Sequence, residues 1–535
     1  MRRLLSRLSE RKRGGEQERR EEEREEEREE RKEEQAGGES AMETLFVARK
    51  KALQMQVHLE SFHSMDYYLS HADSLEKVAD DEFDKVLQED EVVDPAEPII
   101  RCREKNETSK IFQVLSGMPK GALLHTHGIA TGPFEDLAEY LRSDERVYVY
   151  MGACDNGEID HAFKYLSAKD GKKGEESGEW RRASSFSTEE LLEYMVLPVD
   201  VKRKDLWPVF QHIWMRISEL SDAIPIWKGE NSFCWSMLTK LLATGVTYVE
   251  FKQLIPAGWI NPSDDGKTVD RDASIDLFMD TFKDTVELFA SKNPRFVGAR
   301  IVWSALKVMD LKTVEGNTQT VLRLMEKYPH HVAGFDLVGH EDTLQPISMY
   351  ADILTRFRDR GGRLLLHAGE TIEPAADQIY DAIAVGSSRI GHAYSLPKFP
   401  ALMRIVRDRA ITIECCPLSN QGLGYVQDMR NHPGAIMVNN GLRLTISSDD
   451  AAIFGYSDLT HDFVVVAKSW GLKLSQLKHL CRQSFKSTGL SHDEQVVAEQ
   501  RFDEDWVAFL KDFVGSEPSK SPKRAGSKRS SSKRS

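Results

Sequence analysis

An apolar run close to residue 121 ends in two histidines that could bind a metal ion. The run reads Gly121-Ala-Leu-Leu-His-Thr-His127, and its apolar character predicts a buried strand. Because side chains two positions apart on a strand point to the same side, His125 and His127 can each direct one imidazole nitrogen at a common point. A lone His-X-His pair is also typical of two polar residues where a strand meets solvent. Polar residues elsewhere in the chain decide between these two interpretations.

Three further apolar runs also end in residues that can bind metals or transfer protons. These ends are His367-Ala-Gly-Glu370, Gly391-His392 and Ser447-Ser-Asp449-Asp450. Imidazole nitrogens and a carboxylate oxygen form a donor set that suits zinc. Adjacent carboxylates after a strand point in opposing directions, so one of Asp449 and Asp450 could face the metal and the other a substrate. The predicted cofactor is one zinc ion per chain, held by the imidazoles of His125, His127 and His367 and by one carboxylate of this pair.

The elements that must position these residues form a regular series. Short apolar runs alternate with amphipathic stretches from residue 121 onward, and this alternation predicts an α/β fold, a parallel (β/α)8 barrel with outer helices. The predicted strands are Ala122–His127, Thr247–Phe251, Gly298–Val302, Gly334–Val338, Arg363–His367, Arg389–His392, Ile411–Cys415 and Arg443–Ser447. In such a barrel the active site lies at the carboxyl ends of the strands. The histidines and carboxylates should therefore meet at one end of the barrel.

The remainder of the chain divides by composition into appendages of this barrel. The predicted organisation is a charged low-complexity segment at 1–41, a helical N-terminal extension at 42–117, a barrel at 118–515 and a basic disordered tail at 516–535. Between the first two strands, residues of about 135–205 are too many for one connection and predict an insertion. Its segment Lys169-Asp-Gly-Lys-Lys-Gly-Glu-Glu-Ser-Gly-Glu179 is typical of a flexible tip.

Composition excludes several classes of function. Of the 535 residues, 40% are hydrophobic and 30% charged, as in ordinary soluble enzymes, and no apolar stretch is long enough to span a membrane. The net charge of -14 argues against general nucleic-acid binding. Six scattered cysteines without a C-x-x-C pair predict reduced thiols, and the N-terminus lacks the apolar segment of a signal peptide. A cytoplasmic protein is expected, with secretion as the alternative.

Five motifs in order resemble the adenosine/AMP deaminase family. They are Met118-Pro-Lys-Gly-Ala-Leu-Leu-His-Thr-His127, Gly334-Phe-Asp-Leu-Val-Gly-His-Glu-Asp342, His367-Ala-Gly-Glu370, Arg389-Ile-Gly-His392 and Ser447-Ser-Asp-Asp450. The match runs over roughly residues 118–510. The long insertion and the following Trp207-Pro-Val-Phe210 resemble the adenosine deaminase-related growth factor branch of that family. The resemblance implies a metal-dependent hydrolase of the TIM-barrel kind. It also implies that the zinc ligands are His125, His127, His367 and Asp449.

The resemblance also implies roles for the other residues at the strand ends. Glu370 would protonate N1 of a purine, and His392 would accept the proton of the attacking water or hold the attacking oxygen electrostatically. Asp450 would hydrogen-bond purine N7, and the backbone N–H of Gly339 would contact purine N3, where a residue without a side chain permits close approach. Trp207 would wall the ribose side. The implied reaction is zinc-dependent hydrolytic deamination of adenosine and 2′-deoxyadenosine, which releases ammonia.

Two departures from the family pattern affect the expected substrate and cellular location. After His127 the sequence reads Gly128-Ile-Ala130, where smaller adenosine deaminases carry Leu-Asp-Gly, so their ribose-contacting Asp is missing. The insertion holds only Cys154, so the disulfide found there in secreted members of the branch cannot form within it. AMP, adenine or a modified adenosine remain alternative substrates. A growth-factor-like binding protein without turnover is the alternative from another class, although such a protein has no need of Glu370 beside a metal ligand.

The predicted partners are few. A small purine nucleoside is the expected ligand, and neither nucleic acid nor a membrane is expected. The helical N-terminal extension carries more apolar residues than a free arm should, and in the resembled branch the corresponding region helps to build a homodimer. We therefore expect a homodimer formed through residues 42–117.

Overall fold

A computed structural model describes residues 65–152, 159–256 and 271–515. Within these residues, four helices precede the first strand and belong to the predicted extension, whose residues 42–64 lie outside the described part of the chain. The helices are α1 (Met65–His71), α2 (Ser74–Glu89), α3 (Ile99–Glu107) and α4 (Lys110–Ser116). Helix α2 begins at a capping box, in which Asp73 accepts from the backbone of Glu76 and the Glu76 carboxylate accepts from the backbone of Asp73. The homodimer stays a prediction.

Eight parallel strands of the described residues form two four-stranded sheets at the centre of the fold. They are β1 (Gly121–His127), β5 (Val246–Leu254), β6 (Gly298–Leu306), β7 (Val332–Val338), β8 (Leu365–Ala368), β9 (Arg389–His392), β10 (Thr412–Cys415) and β11 (Leu444–Ile446). Strands β1, β5, β6 and β7 pair in that order, and β8 to β11 pair in sequence order. Every pair is parallel. Each predicted strand overlaps one of these eight.

Two single bridges join these four-stranded sheets into a closed barrel. Phe335 of β7 pairs with Leu364 just before β8, and Thr126 of β1 pairs with Asp449 just after β11. Both bridges are parallel, so all eight carboxyl ends face one end of the barrel. The predicted (β/α)8 fold is confirmed.

Helices connect the barrel strands and follow the last of them. They include α8 (Leu206–Ser221), α9 (Ile224–Trp227), α10 (Phe233–Ala243), α11 (Arg271–Lys292), α12 (Leu311–Lys327), α13 (Ala351–Asp359), α14 (Gln378–Val385), α15 (Pro400–Asp408), α16 (Pro417–Gly422), α17 (Gly434–Asn439), α18 (Thr460–Trp470), α19 (Leu474–Ser484) and α20 (His492–Gly515). The apolar core lies between these helices and the strands, as where Trp227 packs edge-on against Phe251 and Phe278.

None of the helices within 65–152, 159–256 and 271–515 has both the length and the apolar character that a membrane span requires.

Polar contacts hold the N-terminal extension against helix α19, near the end of the barrel domain. Asp80 of α2 accepts hydrogen bonds from the backbone N–H of Ser475, at 2.9 Å, and from its hydroxyl, at 2.6 Å. Lys478 forms an ion pair with Glu76 at 2.7 Å. Each contact joins α2 to α19. The described part of the extension therefore packs on its own barrel.

The insertion contains its own small sheet. Its elements are α5 (Phe134–Ser143), β2 (Val147–Tyr150), β3 (Phe163–Tyr165), α6 (Ala168–Ser177), β4 (Trp180–Arg182) and α7 (Thr188–Met195). The antiparallel order is β3-β2-β4.

The flexible tip predicted at 169–179 is wrong, because most of this segment forms helix α6. The Ser167 hydroxyl accepts from the backbone of Asp170 at the helix start, and Gly178 ends the helix with a φ of 75°. Its interior glycines serve close packing. A Cβ on Gly171 would lie 2.4 Å from the Tyr148 ring, and one on Gly174 would lie 2.7 Å from the Trp180 ring.

Candidate metal centre and active site

The four predicted ligands converge at the carboxyl end of the barrel. One donor atom from each of His125, His127, His367 and Asp449 lies within 4.8 Å of the others. The Oδ1 atom of Asp449 is 3.3 Å from His125 Nε2 and 3.2 Å from His127 Nε2. Tetrahedral zinc with bonds of about 2.0–2.1 Å separates its ligand atoms by about 3.3 Å. The two distances from Asp449 Oδ1 therefore match the spacing of ligands on one such ion, and the other donors lie close enough to complete the set.

Two buried donor atoms in this group lack a hydrogen-bond partner among the described residues. His125 Nε2 and Asp449 Oδ1 are both buried and form no hydrogen bond within the described residues. The opposite nitrogens are occupied, because His125 Nδ1 lies 2.7 Å from Glu414 and His367 Nδ1 lies 2.7 Å from Asp336. Carboxylates in these positions hold the Nδ1 protons and direct the Nε2 lone pairs inward. This arrangement fits a metal cation, since unpaired buried polar atoms are costly otherwise.

Lys252 connects the two carboxylates that hold these histidines. Its Nζ lies 2.7 Å from Asp336 and 3.3 Å from Glu414, and all three side chains are fully buried. Burial by itself would raise the pKa of Asp336 and of Glu414, yet Lys252 and the histidines hold both pKa values below the ordinary range. Both carboxylates are therefore ionised and able to accept the imidazole protons.

Backbone contacts fix the fourth ligand. Asp449 has a left-handed φ of 57°, which is uncommon for a residue with a side chain. Its N–H donates to the His125 carbonyl at 3.1 Å, and its own carbonyl accepts from the backbone N–H of His127 at 3.3 Å. The Ser419 hydroxyl donates to Asp449 Oδ2 at 2.7 Å, which leaves Oδ1 for the metal. Strained backbone that neighbouring contacts hold in place is typical of functional sites.

A second group of donors overlaps the first. His125, His392, Cys416 and Asp449 also bring one donor atom each within 4.8 Å. Burial, followed by the charge of Asp449, raises the pKa of the Cys416 thiol well above its ordinary value. A protonated thiol is a poor ligand. The group with His127 and His367 is therefore the better metal site.

Glu370 lies beside the metal site on a loop that two acidic residues hold. The Glu341 carboxylate accepts from the backbone N–H of Gly369 at 3.0 Å and from that of Glu370 at 2.8 Å. Thr371 donates to Asp342 at 2.6 Å. Burial, with smaller effects from Asp449 and Glu341, raises the pKa of Glu370 well above its usual range. Glu370 is thus able to carry a proton where most carboxyl groups have lost theirs.

His392 lies between the acid and the metal ligands. Its Nδ1 is 3.6 Å from Glu370 Oε1, and its Nε2 is 3.8 Å from Asp449 Oδ2. Neither nitrogen forms a hydrogen bond within the described part of the chain. Burial lowers its pKa well below 6.5, so the ring is neutral and its unprotonated nitrogen can accept a proton. The backbone φ of His392 is 62°, in the left-handed region that residues with a side chain rarely adopt.

A cavity of about 420 Å³ opens over these groups. Glu370, His392 and Asp450 line it together with metal ligands His127 and His367. Burial, followed by the charges of Asp449 and Glu370, raises the pKa of Asp450 well above its ordinary value. The Trp214 side chain hydrogen-bonds this carboxyl group. Proton-transferring groups, a metal site and space for a small molecule are thereby combined in one place.

Gly339 and Trp207 also line the cavity. Gly339 has a φ of 118°, and a Cβ there would lie 2.6 Å from Leu344, so this turn requires glycine. Trp207 stacks on His340 with ring centroids 4.3 Å apart, and its Nε1 donates to the Tyr425 hydroxyl at 2.6 Å. It belongs to helix α8, and Phe210, Gln211, Trp214, Met215, Ser218 and Ser221 of the same helix also border the cavity. One face of α8 therefore forms a wall of the site.

All nine predicted site residues lie at this cavity or directly beneath it, but the sequence did not identify the residues that support them. Lys252, Asp336 and Glu414 lie within strands, and Glu341 follows one. The sequence feature that could have identified these supporting residues is a charged side chain inside an otherwise apolar strand. Such a residue is fully buried only when a partner neutralises it.

Comparison with known proteins agrees with this geometry. A family model described as adenosine deaminase matches residues 229–504, which contain His367, Glu370, His392, Asp449 and Asp450. Adenosine deaminase 2 from Sus scrofa is 31% identical over 432 residues, which cover 76% of this chain and 82% of the relative. An adenosine deaminase from Lutzomyia longipalpis is 29% identical, with 76% and 80% covered.

Solved structures show the same fold. The Arabidopsis ADAL complex with IMP superimposes with a TM-score of 0.54 at 16% identity, over 74% of this chain and 99% of that one. Adenine deaminase from Arthrobacter aurescens gives a TM-score of 0.51 at 19% identity, over 73% and 99%. With the extent of the family match and the identity to adenosine deaminase 2, these findings establish that the chain belongs to the adenosine deaminase family.

Proposed function

We propose that the protein is a zinc-dependent deaminase that hydrolyses adenosine and 2′-deoxyadenosine, converting the amino group at purine C6 to a carbonyl and releasing ammonia. The observation that carries this proposal is the convergence of His125, His127, His367 and Asp449 beside Glu370 in one cavity. Relatives of the chain bear the name adenosine deaminase, which supports the same reaction.

Zinc fits the donor set, because His nitrogens and one carboxylate oxygen match its preferences and its tetrahedral spacing. When bound, zinc supplies a water that can lose a proton near neutral pH and attack the ring. The protein residues hold the ligands, orient the purine and move the protons. Asp336 and Glu414 keep the ligand imidazoles turned inward through Nδ1.

Glu370 is assigned to the proton that the ring must gain. Addition of water at C6 places negative charge on N1, and a proton delivered to N1 neutralises that charge. The raised pKa of Glu370 suits a donor at neutral pH, and the Glu341 contacts with its backbone hold its position. The carboxyl group gives its proton to N1 as the C6–O bond forms.

His392 and Asp450 are assigned to the attacking oxygen and the leaving group. The neutral imidazole of His392 accepts the proton that the attacking water loses and passes it to the departing amine, so that ammonia leaves. Asp450, which accepts from Trp214, is assigned to purine N7, to which its protonated form donates. Gly339 presents its backbone N–H to N3, and Trp207 covers the sugar side. The attacking oxygen becomes the carbonyl oxygen of inosine, and the proton that it still carries returns to the Glu370 carboxylate, which restores the acid for the next turnover.

Substrate choice should follow the charge of the cavity. Among the described residues that line it, Lys252 is the only Lys or Arg, and its Nζ is already paired with Asp336 and Glu414. A phosphate normally requires charge-assisted hydrogen bonds. We therefore expect kcat/KM for AMP to be about 10²-fold or more below that for adenosine, since a buried charge without partners is costly. Adenine should also be poor, because polar groups on the sugar side would lose their partners.

A spectrophotometric comparison of adenosine, 2′-deoxyadenosine, AMP and adenine on one preparation tests this expectation. Adenosine and 2′-deoxyadenosine should be the two best substrates. AMP or adenine as the best of the four would contradict the proposed specificity and leave the deaminase assignment standing.

The Asp336→Asn variant should weaken zinc binding by about 10–100-fold, the usual cost of losing a partner that orients a metal-ligating histidine. Asp336 accepts from both the backbone N–H and the Nδ1 of His367, and an amide cannot accept at both of its polar atoms. Zinc affinity can be measured by competition with a chelator. Asp80→Asn is the matched control, because Asp80 is also buried but accepts from Ser475 in the extension contact. Equal zinc affinity in both variants would argue against this role of Asp336.

A further inference from the structure

The turn after His127 offers no polar side chain to a sugar. Residues Gly128–Thr131 form a short 3-10 helix, all four are buried, and Ile129 is completely so. The Thr131 hydroxyl is within hydrogen-bond distance of the Thr126 hydroxyl at 2.7 Å. A nucleoside in the cavity must therefore find its hydroxyl partners on another element. Among the cavity-lining residues, Gln253 lies immediately beside this turn.

The side-chain amide of Gln253 forms hydrogen bonds with the described residues through its nitrogen. Its Nε2 donates to the Ser221 carbonyl at 3.2 Å and to Asp222 at 3.2 Å, with the Ser221 hydroxyl 3.4 Å away. A backbone carbonyl can only accept, so these contacts assign the nitrogen and the oxygen of the amide. All hydrogen bonds between the Gln253 side chain and the described residues pass through Nε2. The Oε1 atom remains free to accept.

Gln253 Oε1 lies next to Gly128, in space that a side chain at position 128 would occupy. A Cβ on Gly128 would be 2.7 Å from Gln253 Oε1, too close for any side chain. The φ of Gly128 is 36°, which also favours glycine. Gln253 is only 2% exposed, so its oxygen is largely shielded from bulk water. The result is a fixed, buried acceptor beside the metal-ligand strand, at the place where the chain lacks a carboxylate.

We propose that Gln253 Oε1 accepts a hydrogen bond from a ribose hydroxyl of the nucleoside and thereby sets the requirement for a sugar. This inference rests on the proposed function. Because 2′-deoxyadenosine is an expected substrate, the hydroxyl is the 3′ or the 5′ one. A nucleoside that lacks it leaves a buried acceptor unpaired, and such a loss costs about tenfold in binding. Gln253 is a specificity residue here, with no part in the bond changes at C6.

The test compares adenosine with 3′-deoxyadenosine and 5′-deoxyadenosine on the wild-type enzyme and on Gln253→Met, which keeps the shape but removes the acceptor. In the wild type, one of the two analogues should have a kcat/KM about tenfold below that of adenosine. In Gln253→Met, adenosine should fall by a similar factor, mainly through KM, and that same analogue should fall no further. Gln483→Met is the matched control, because Gln483 is buried and donates to the Leu444 carbonyl away from the cavity.

Equal kcat/KM for all three nucleosides on the wild type would overturn the inference, whether or not the variant folds. A uniform loss in Gln253→Met that leaves the preference among the nucleosides unchanged would overturn it as well. Zinc content and thermal unfolding of each variant identify a folding defect. If the wild type released no ammonia from adenosine, the proposed function would fail together with this inference. Turnover of adenosine without hydroxyl selectivity would remove the inference alone.

Discussion

Replacement of Glu370 by Gln is expected to lower kcat by about 10²–10⁴, the usual effect of removing a positioned general acid. Gln has nearly the same shape but no titratable proton, so the charge that develops on N1 is no longer neutralised. Burial keeps the pKa of Glu370 well above its ordinary range, so this side chain holds a proton that it can donate. KM should change less than kcat, because the proton is needed chiefly in the transition state.

Metal content separates this effect from damage to the site. Glu370 is not one of the four grouped donors, so zinc per chain in Glu370→Gln should equal that of the wild type. Glu76→Gln is a matched control, since Glu76 is a buried carboxylate that forms an ion pair with Lys478 in the extension. Its turnover should stay near that of the wild type. If Glu370→Gln retained turnover within a factor of a few, the acid would have to be another group.

The barrel could be predicted because its strands end in polar residues after short apolar runs. The predicted ends of strands were less accurate where a strand continues through polar residues. The prediction ended the second barrel strand at Phe251, whereas β5 continues through Lys252 and Gln253 to Leu254. Lys252 is neutralised inside the barrel, and Gln253 is held under helix α8. Sequence pattern treats both as surface residues, because their partners come from elements far away in the chain.

The metal ligands were predictable for a different reason. Their side-chain types are sufficient to suggest a metal, and strand ends in a parallel barrel must meet at one end. The supporting network was not predictable, because Asp336 and Glu414 contact the histidines only after β7 and β10 take their places around the barrel. In the insertion, glycines suggested flexibility, but Gly171 and Gly174 permit contact with two aromatic rings. The residue types indicate which chemistry is possible. Which side chains contact each other depends on how distant strands are placed in the closed barrel.

Replacement of His367 by Ala is expected to remove both zinc and activity. The wild type should hold about one zinc per chain, since three imidazoles and one carboxylate complete a four-coordinate site. Without His367 the remaining donors are His125, His127 and Asp449, and the imidazole that Asp336 orients is gone. Elemental analysis of the purified variant should find zinc far below one per chain, and ammonia release should fall to background.

Thermal unfolding supplies a readout independent of turnover. Zinc that binds only the folded state stabilises it by about 2.7 kcal/mol when free zinc is 100 times its dissociation constant. Apoprotein of the wild type should therefore unfold at a higher temperature when zinc is added, and His367→Ala should respond much less. His331→Ala is the control, because His331 is a nearly buried histidine that lies just before β7 and outside the grouped donors. It should keep zinc, activity and the thermal response. Full activity in wild-type protein freed of metal would refute the zinc mechanism, while an undiminished zinc response in His367→Ala would place the metal elsewhere.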